Sequence, residues 1–408
     1  MASRYHTLRH AELAALVPEL LLAGQLIDRS AMAWCIGAFG REEMVRIAIE
    51  EWMAASPIYT RRMQRALGYQ GDDVITIFKG LQLDIGAPPQ FMDFRYTVHD
   101  RWHGEFHLDH CGALMDVEPL GDEYVTSMCH DIEDPTFDAT AVATNPRAQM
   151  RPIHRPPRTP ADRQPHCAWT VTIEESHPPV AESEGCRELR GSRAAGVELD
   201  PIEAVGEGLS DYTGPLRSDL VFADFSQSAL VRIADEVCLQ MQLLNLGFVR
   251  AVAQRADAAQ AKDICAKQLL GIAGVAAERI HRALGLSSDV DGALRVLELH
   301  PLVNPAAYVN ASVGRGALRV RESAAHADGG WISLCGPEQT APLQAIVRAV
   351  DPHFDVEVRG DERDWTARVT RNAQPAKEFG EVSVTKVSSG AGFVFQPRRS
   401  IPITPVGS

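Results

Sequence analysis

The feature that most constrains this chain is an internal repeat between its two halves. The segments that match, in the same order along the chain, are residues 60–68 with 278–285, 72–83 with 289–299, 125–129 with 331–335 and 168–173 with 364–369. Preserved order over this length predicts two similar units of about 150 residues each. The expected fold class is α+β, a tandem duplication in which each copy is a helical half followed by a small antiparallel-sheet half.

The repeat suggests a division of the chain into four parts. Residues 1–176 form the first repeat, which we expect to carry catalysis or metal binding, and residues 223–372 form a second, degenerate repeat. Residues 177–222, rich in Glu, Gly, Ser and Pro, are expected to be a linker. Residues 373–408 are expected to be a strand-bearing tail.

Strand-like alternation replaces helical periodicity after residue 91 of the first copy. Strands are expected at 94–98, 105–113, 137–144 and 168–174, with one short helix at 121–130. The passage 145–165 contains six prolines and is expected to be a loop or an irregular edge strand. In the tail, two short strands are expected, at 381–387 and 392–396.

Composition argues against several classes of protein. With 45% hydrophobic and 23% charged residues, the chain resembles a soluble globular protein. Its formal net charge of −14 argues against a nucleic-acid partner or an anionic membrane surface. The most apolar stretch, residues 11–27, is interrupted by Glu12, Pro18 and Glu19, and the N-terminus lacks a signal-peptide pattern. We therefore expect a cytoplasmic protein with no membrane partner, whose long helices would allow a homodimer.

Histidine and cysteine are concentrated in one window of the first copy. Eight of the fourteen histidines lie from His99 to His177, together with three of the eight cysteines, Cys111, Cys129 and Cys167. Imidazole and thiolate groups interleaved with carboxylates are the usual parts of a metal site or of a nucleophile–base pair. Without a close Cys-x-x-Cys pair, these cysteines are expected to be free thiols or ligands rather than disulfides.

The second copy lacks most of these groups. The counterparts of His107, His110 and Cys111 are Arg319, Glu322 and Ser323, those of His130 and Asp131 are Gly336 and Pro337, and His166 and Cys167 have none. Only Cys129 keeps its residue type, as Cys335. The fold is thus expected to be repeated while the chemistry is kept in the first copy.

The spacing of these residues allows some of them to converge. On a strand from 105 to 113, alternate side chains share one face, and neighbours two apart are about 7 Å from each other. In a helical segment from Cys129, spacing by four places Cys129 beside Glu133, and His130 beside Asp134. The sequence predicts a divalent metal, zinc or iron, held by a subset of His107, Cys111, Cys129, His130 and Cys167.

Acid–base and substrate-binding residues are expected beside these ligands. Glu133 or Asp134 would be the general base, and Arg155 or Arg158, from an arginine-rich passage, would orient a carboxylate of the substrate. The candidate catalytic residues are Cys129, Glu133, Asp134 and His154. No GxGxxG, Walker A, GxSxG or HExxH motif is present, which disfavours nucleotide binding and serine-hydrolase chemistry.

The first copy resembles the L-2-amino-thiazoline-4-carboxylic acid hydrolase-like family. The motifs that carry the resemblance, over residues 40–175, are Asp109-His110-Cys111, the run from Cys129 to Glu133, the Thr-bearing stretch 140–144, and the run from His166 to Trp169. The resemblance implies hydrolysis of a cyclic amidine or a related C–N bond, with the cysteines and the acid at the centre. This chain departs from the pattern at His130, where a second cysteine would be expected, and by its additional His107 and His110. A more distant resemblance is to the cysteine-bearing ligand domains of vinyl-reductase type.

The function that these features favour is a metal-dependent hydrolase or lyase acting on a C–N, cyclic amidine-like bond of a small anionic substrate. A metal ion with an open coordination position would lower the pKa of bound water to about 7. A second hypothesis makes Cys129 a nucleophile with His130 or His166 as base, without a metal. A third is a non-enzymatic sensor that binds a metal or a tetrapyrrole, or responds to redox state.

Overall fold

The structure is a computed structural model that describes residues 2–204, 206–314 and 316–398, and its fold is α+β, as the repeat predicted. The helices of its first part are α1 (His10–Phe39), α2 (Arg41–Ala66), α3 (Val74–Leu81), α4 (Gly112–Val117), α5 (Asp122–Thr126), α6 (Glu133–Val142) and α7 (Glu184–Leu189). Those of the second part are α8 (Gln227–Ala253), α9 (Ala258–Leu284), α10 (Val290–Leu299), α11 (Ala324–Asp328), α12 (Ala341–Arg348), α13 (Gly380–Thr385) and α14 (Ser389–Gly392). The strands are β1 (Met92–Val98), β2 (His103–Cys111), β3 (Ala148–His154), β4 (Cys167–Ile173), β5 (Ala311–Gly314), β6 (Ala317–Val320), β7 (Phe354–Gly360) and β8 (Trp365–Arg371).

The predicted duplication is confirmed in both the helices and the sheets. The number of residues between the start of α1 and the start of α8 equals the number between the start of α2 and the start of α9. The glycines that follow α2 and α9, Gly68 and Gly285, keep this separation and both have positive φ, at 68° and 56°. The two four-stranded antiparallel sheets have the same strand order, β1-β2-β4-β3 and β5-β6-β8-β7. Each repeat is therefore the same structural unit, and residues of the helical halves with this constant separation are counterparts.

The helical halves of the two repeats interlock. Helix α1 of the first repeat packs mainly on α9 of the second, and α2 packs mainly on α8. The buried apolar side chains of these four helices belong to one continuous core. By length and composition α1 is apolar enough to cross a membrane, but 67% of its most apolar window is buried inside the protein.

Two buried ion pairs join the interlocked helices. Glu19 on α1 pairs with Arg279 on α9, with 2.5 Å between Oε2 and Nη2. Arg62 on α2 pairs with Glu236 on α8, with 2.9 Å between Nε and Oε2. Because Glu236 is the counterpart of Glu19 and Arg279 is the counterpart of Arg62, the repeat symmetry exchanges the two pairs. Removing one partner of such a buried pair costs about 3–5 kcal/mol, because it leaves an uncompensated charge.

Glycines allow two pairs of helices to approach closely where they cross, α8 with α2 and α9 with α1. A Cβ atom on Gly247 of α8 would lie 2.9 Å from the backbone oxygen of Glu51 on α2. A Cβ atom on Gly271 of α9 would lie 3.1 Å from Cβ of Ser30 on α1. Gly247 is the counterpart of Ser30 in the repeat, so both crossings lie at related points. The second repeat therefore fixes the position of the α2 backbone at Glu51.

The two tryptophans that the repeat aligned occupy corresponding strands. Trp169 on β4 pairs with Phe106 on β2 and stacks on its ring, with 6.2 Å between centroids. Its counterpart Trp365 begins β8 and pairs with Val320. Both tryptophans are buried, because alternate residues of a strand point to the same side and here that side faces the core.

One expected element of the first repeat is wrong, because the predicted strand 137–144 lies mainly in helix α6. The proline-rich passage 145–165, expected to be a loop or an irregular edge strand, contains β3, which lies at the edge of its sheet. Asp138 on α6 accepts a hydrogen bond from the backbone N–H of Met150 on β3, which fastens the helix to the strand. Pro152 lies where the β3–β4 register shifts, as expected for an edge strand. The β-branched composition of 137–144 was overridden by this packing.

The expected strands of the tail are also wrong within the described residues. Residues 381–387 and 392–396 lie mainly in α13, α14 and the extended segment after them, and residues 399–408 lie outside the described part. Helix α13 packs on α9 and α1, as α7 packs on α2 and α8. Gly185 of α7 lies against Ala54, and Thr385 of α13 lies against Gly271, the counterpart of Ala54. The expected linker and the expected tail are thus corresponding parts of the two repeats.

The helix crossing generates a testable prediction. Gly247→Ala should lower the free energy of unfolding by about 1–3 kcal/mol, because the added methyl group collides with an immobile backbone atom. Urea unfolding followed by circular dichroism measures this change. The matched control is Gly37→Ala in α1, where a Cβ atom would meet nothing within 4 Å. That control should raise stability by about 0.5–1 kcal/mol; equal effects of the two substitutions would contradict the prediction.

Candidate functional site

A cavity lies between the helices of the first repeat, with a volume of about 80 Å³. Its walls come mainly from α1, α2, the loop after α3, and α6 with the segment that leads into it. The polar and aromatic lining residues are Gln25, Asp28, Trp52, Tyr59, Asp84, Glu133, Thr136, Phe137 and Thr140. No lysine, arginine or histidine is among the described residues that line it. The wall is therefore rich in hydrogen-bond acceptors and carries no cation of its own.

The two long helices hold their polar side chains in defined positions. The indole N–H of Trp52 donates to Oδ2 of Asp28 at 2.7 Å, which joins α2 to α1. The hydroxyl of Tyr59 donates to Oδ1 of Asp84 at 2.9 Å, and the backbone N–H of Gly86 donates to the same oxygen at 2.7 Å. Because these side chains project from packed helices, their orientation is fixed before any ligand binds.

Glu133 enters the cavity from a local irregularity of the chain. The residues before it, Ser127–Ile132, form one turn of π-helix, a feature that is frequent at functional sites. As a residue Glu133 is only partly covered, but its Oε2 atom is buried and has no hydrogen-bond partner in the described part of the chain. Burial raises the pKa of Glu133 to about 8, with Arg155 opposing the shift and Asp134 adding to it. At neutral pH this carboxyl is mostly protonated.

Asp84 differs from Glu133 in its protonation. Burial raises the pKa of Asp84 to about 6, against the opposing effect of the hydrogen bonds from Gly86 and Tyr59. At neutral pH Asp84 is mostly ionised while Glu133 is mostly protonated. Carboxyl groups whose pKa values are pushed apart in one cavity are the arrangement that general acid–base catalysis uses.

The three cysteines of the first repeat lie near Glu133 but are not among the residues that line the cavity. Cys111 ends β2 and is the N-cap of α4, Cys129 lies on the π-helical turn, and Cys167 begins β4. Burial, and then the charge of Glu133, raise the pKa of all three thiols, and that of Cys111 reaches about 12. These groups are therefore thiols at neutral pH, which disfavours Cys129 as a nucleophile.

The expected metal ligands are not gathered around one point. Across the described ranges, no group of three or more His, Cys, Asp or Glu side chains could hold a metal ion. His107 lies on the half-exposed face of β2, with Nε2 3.3 Å from Oδ1 of Asp109. The Nε2 atom of His130 lies 2.7 Å from the backbone oxygen of Pro156. In the described part of the chain, these residues therefore do not form a site for a metal ion.

The remaining predicted residues lie outside the described lining of the cavity. Asp134 forms an ion pair with Arg155, whose guanidinium lies 5.9 Å from the ring centroid of Trp169. Arg158 forms a two-pronged ion pair with Glu118, at 2.9 and 2.8 Å. His154 lies on β3, and partial burial lowers its pKa, with Arg163 and His107 contributing. Of the four candidate catalytic residues, only Glu133 lines the cavity.

Sequence reasoning missed the residues that α1 and α2 contribute, because they lie in helices that were interpreted as scaffold. A signal for two buried carboxyl groups was nevertheless present in the repeat. At the constant separation of the two copies, Asp28 corresponds to Asn245 and Glu51 corresponds to Gln268. The first copy thus carries carboxylic acids where the second carries amides of the same shape.

The thiol environment generates a prediction that tests the cysteine-nucleophile hypothesis. All eight cysteines are buried, so the native protein should react with less than about one equivalent of Ellman's reagent at pH 7. The protein unfolded in guanidinium chloride should titrate all eight. A single thiol that reacts rapidly in the native wild type, and whose reaction is lost in the Cys129→Ser variant, would instead support a nucleophilic Cys129.

Comparison with known proteins adds no relative to this picture. No family model, no curated protein and no solved structure matches the chain. The resemblance to a hydrolase-like family therefore depends on short motifs alone.

Proposed function

We propose that this protein hydrolyses a C–N bond of a small, amidine-like molecule, with Glu133 as the general acid and Asp84 as the general base. The observation that carries the proposal is the unpartnered, buried Oε2 atom of Glu133 at the wall of a cavity that also contains Asp84. A carboxyl group that is protonated at neutral pH can give its proton to a departing nitrogen. An ionised carboxyl group in the same cavity can accept a proton from water.

The reaction follows from these two protonation states. The Asp84 carboxylate takes a proton from a water molecule as the water oxygen attacks the amidine carbon. Glu133 gives its proton to the leaving nitrogen as the C–N bond breaks. The charges of both carboxyl groups are restored by proton exchange after the product has left. The Tyr59 hydroxyl and the Gly86 N–H hold Asp84 in place throughout.

The size of the cavity limits the substrate. Its volume of about 80 Å³ is well below the roughly 300–1,000 Å³ typical of sites for drug-sized ligands. A small substrate fits this volume better than the tetrapyrrole of the sensor hypothesis. The anionic substrate predicted from Arg155 and Arg158 is less well supported, because both guanidinium groups are paired with acids away from the cavity.

The proposal predicts a bell-shaped pH dependence of hydrolysis. The rate should rise as Asp84 loses its proton near pH 6, and fall as Glu133 loses its proton near pH 8. Ammonia release from a panel of small amidines, followed across this range, measures the profile. Glu133→Gln should lower kcat by about 100-fold or more, and Asp131→Asn, an exposed acid nearby, should leave it unchanged. Full activity of Glu133→Gln would contradict the proposal.

A second prediction concerns stability and needs no substrate. The pKa of Glu133 rises from 4.5 to about 8 on folding, so the folded state keeps a proton that the unfolded chain releases as pH increases. Stability from this group is therefore present below about pH 4.5 and is lost between about pH 4.5 and 8. Urea unfolding at several pH values should show the wild type losing stability relative to Glu133→Gln across this window. A constant difference between the two proteins would contradict the raised pKa.

A further inference from the structure

At one wall of the cavity, two buried acidic side chains lie beside each other, Asp28 on α1 and Glu51 on α2. Burial, and then the neighbouring Asp28, raise the pKa of Glu51 well above its usual range. Oε2 of Glu51 and Oδ1 of Asp28 are both buried, and neither receives a hydrogen bond from a donor in the described residues. Because burial favours the protonated form of Glu51, its carboxyl group can donate a hydrogen bond to the neighbouring Asp28.

The second repeat shows that the fold does not need these two acids. At the corresponding positions Asn245 and Gln268 are fully buried on α8 and α9, the helices that match α1 and α2. An amide has the shape of a carboxyl group but no charge. Burying a carboxylate without a counter-charge is unfavourable, so the acids of the first repeat need a compensating group that the amides do not.

Other residues in the cavity wall offer hydrogen-bond acceptors to a compensating cation. Gln25, one turn before Asp28 on α1, is only 6% exposed and lines the cavity. Its Oε1 atom has no hydrogen-bond partner among the described residues. The aromatic rings of Trp52 and Tyr59 line the same space, and aromatic faces attract cations. The carboxyl group of Asp28, the Oε1 atom of Gln25 and the two aromatic rings together match a small cation with several N–H donors.

We propose that Asp28, held by Trp52 and Glu51 and assisted by Gln25, is the subsite for a protonated nitrogen group of the ligand, an amidinium or ammonium ion. The inference deepens the proposed function and rests on it in taking the cavity as the substrate site. Glu51 acts as a positioning residue, since it reaches the ligand only through Asp28. A planar amidinium ion can donate to Asp28 and to Gln25 at the same time.

Two probes of the same shape separate charge from fit. Acetamidinium is a cation with N–H donors, and acetamide is its neutral counterpart. Isothermal titration calorimetry of the full-length protein at pH 7 should detect binding of acetamidinium and at least about tenfold weaker binding of acetamide, because a charge-assisted hydrogen bond is roughly twice as strong as a neutral one. Equal affinity for the two probes would overturn the inference.

Variants within the carboxyl pair provide a matched test. Asp28→Asn should weaken acetamidinium binding by at least about tenfold. Glu51→Gln should keep it within about threefold, because the new amide N–H still donates to Asp28. The double variant, D28N with E51Q, reproduces the residues of the second repeat, which folds with them, and should also lose binding. Equal losses in the two single variants, or full binding by the double variant, would refute the subsite.

A failure of the cation subsite can be distinguished from a failure of the proposed hydrolysis. If Glu133→Gln still binds acetamidinium but the wild type hydrolyses no amidine, the cation subsite stands and the hydrolase proposal fails. If amidines are hydrolysed with the predicted dependence on Glu133 while acetamide and acetamidinium bind equally, the subsite fails and the reaction stands. A shift in the indole N–H signal of Trp52, followed by NMR during the titration, locates the bound probe beside Asp28.

Discussion

The interlocking of four helices from two repeats is the constraint on which the rest of the structure depends. Glu19 with Arg279 and Arg62 with Glu236 are buried charges that would be costly alone, and each pair joins one repeat to the other. The sheets pack on shorter helices, the first sheet on α3 and α6 and the second on α10 and α12. Because α1 and α2 are held from both sides, the polar groups that they direct inward keep a fixed geometry.

The fold could be predicted further than the site. Order and spacing of matching segments predicted the duplication, because a repeated structure preserves its pattern of apolar residues and turns. They could not predict that the copies exchange helix partners, since a periodic apolar face does not say which helix covers it. The predicted strand at 137–144 was wrong because tertiary contacts, including Asp138 to the β3 backbone, outweighed local propensity.

The candidate site was predicted only in part. Glu133 was selected for its spacing from Cys129, and the structure places its carboxyl group in the cavity while the thiol lies behind it. A dense run of histidines suggested a metal, but alternate residues of β2 point to opposite faces, so His107 is half-exposed while its neighbours are buried. Asp28 and Asp84 were missed because an isolated acid beside apolar residues gives no local signal, and their proximity to Glu133 appears only when α1, α2 and the loop after α3 meet.

The crossing at Gly247 gives the second repeat a role despite its lack of candidate chemistry. Its backbone lies directly against Glu51, whose carboxyl group supports Asp28 at the cavity wall. The degenerate copy therefore supports a cavity to whose described lining it contributes no side chain. Such a supporting unit can lose the polar side chains that the cavity does not use, yet it must keep the small residue at the crossing. The first repeat alone is therefore expected to fold without a properly formed cavity.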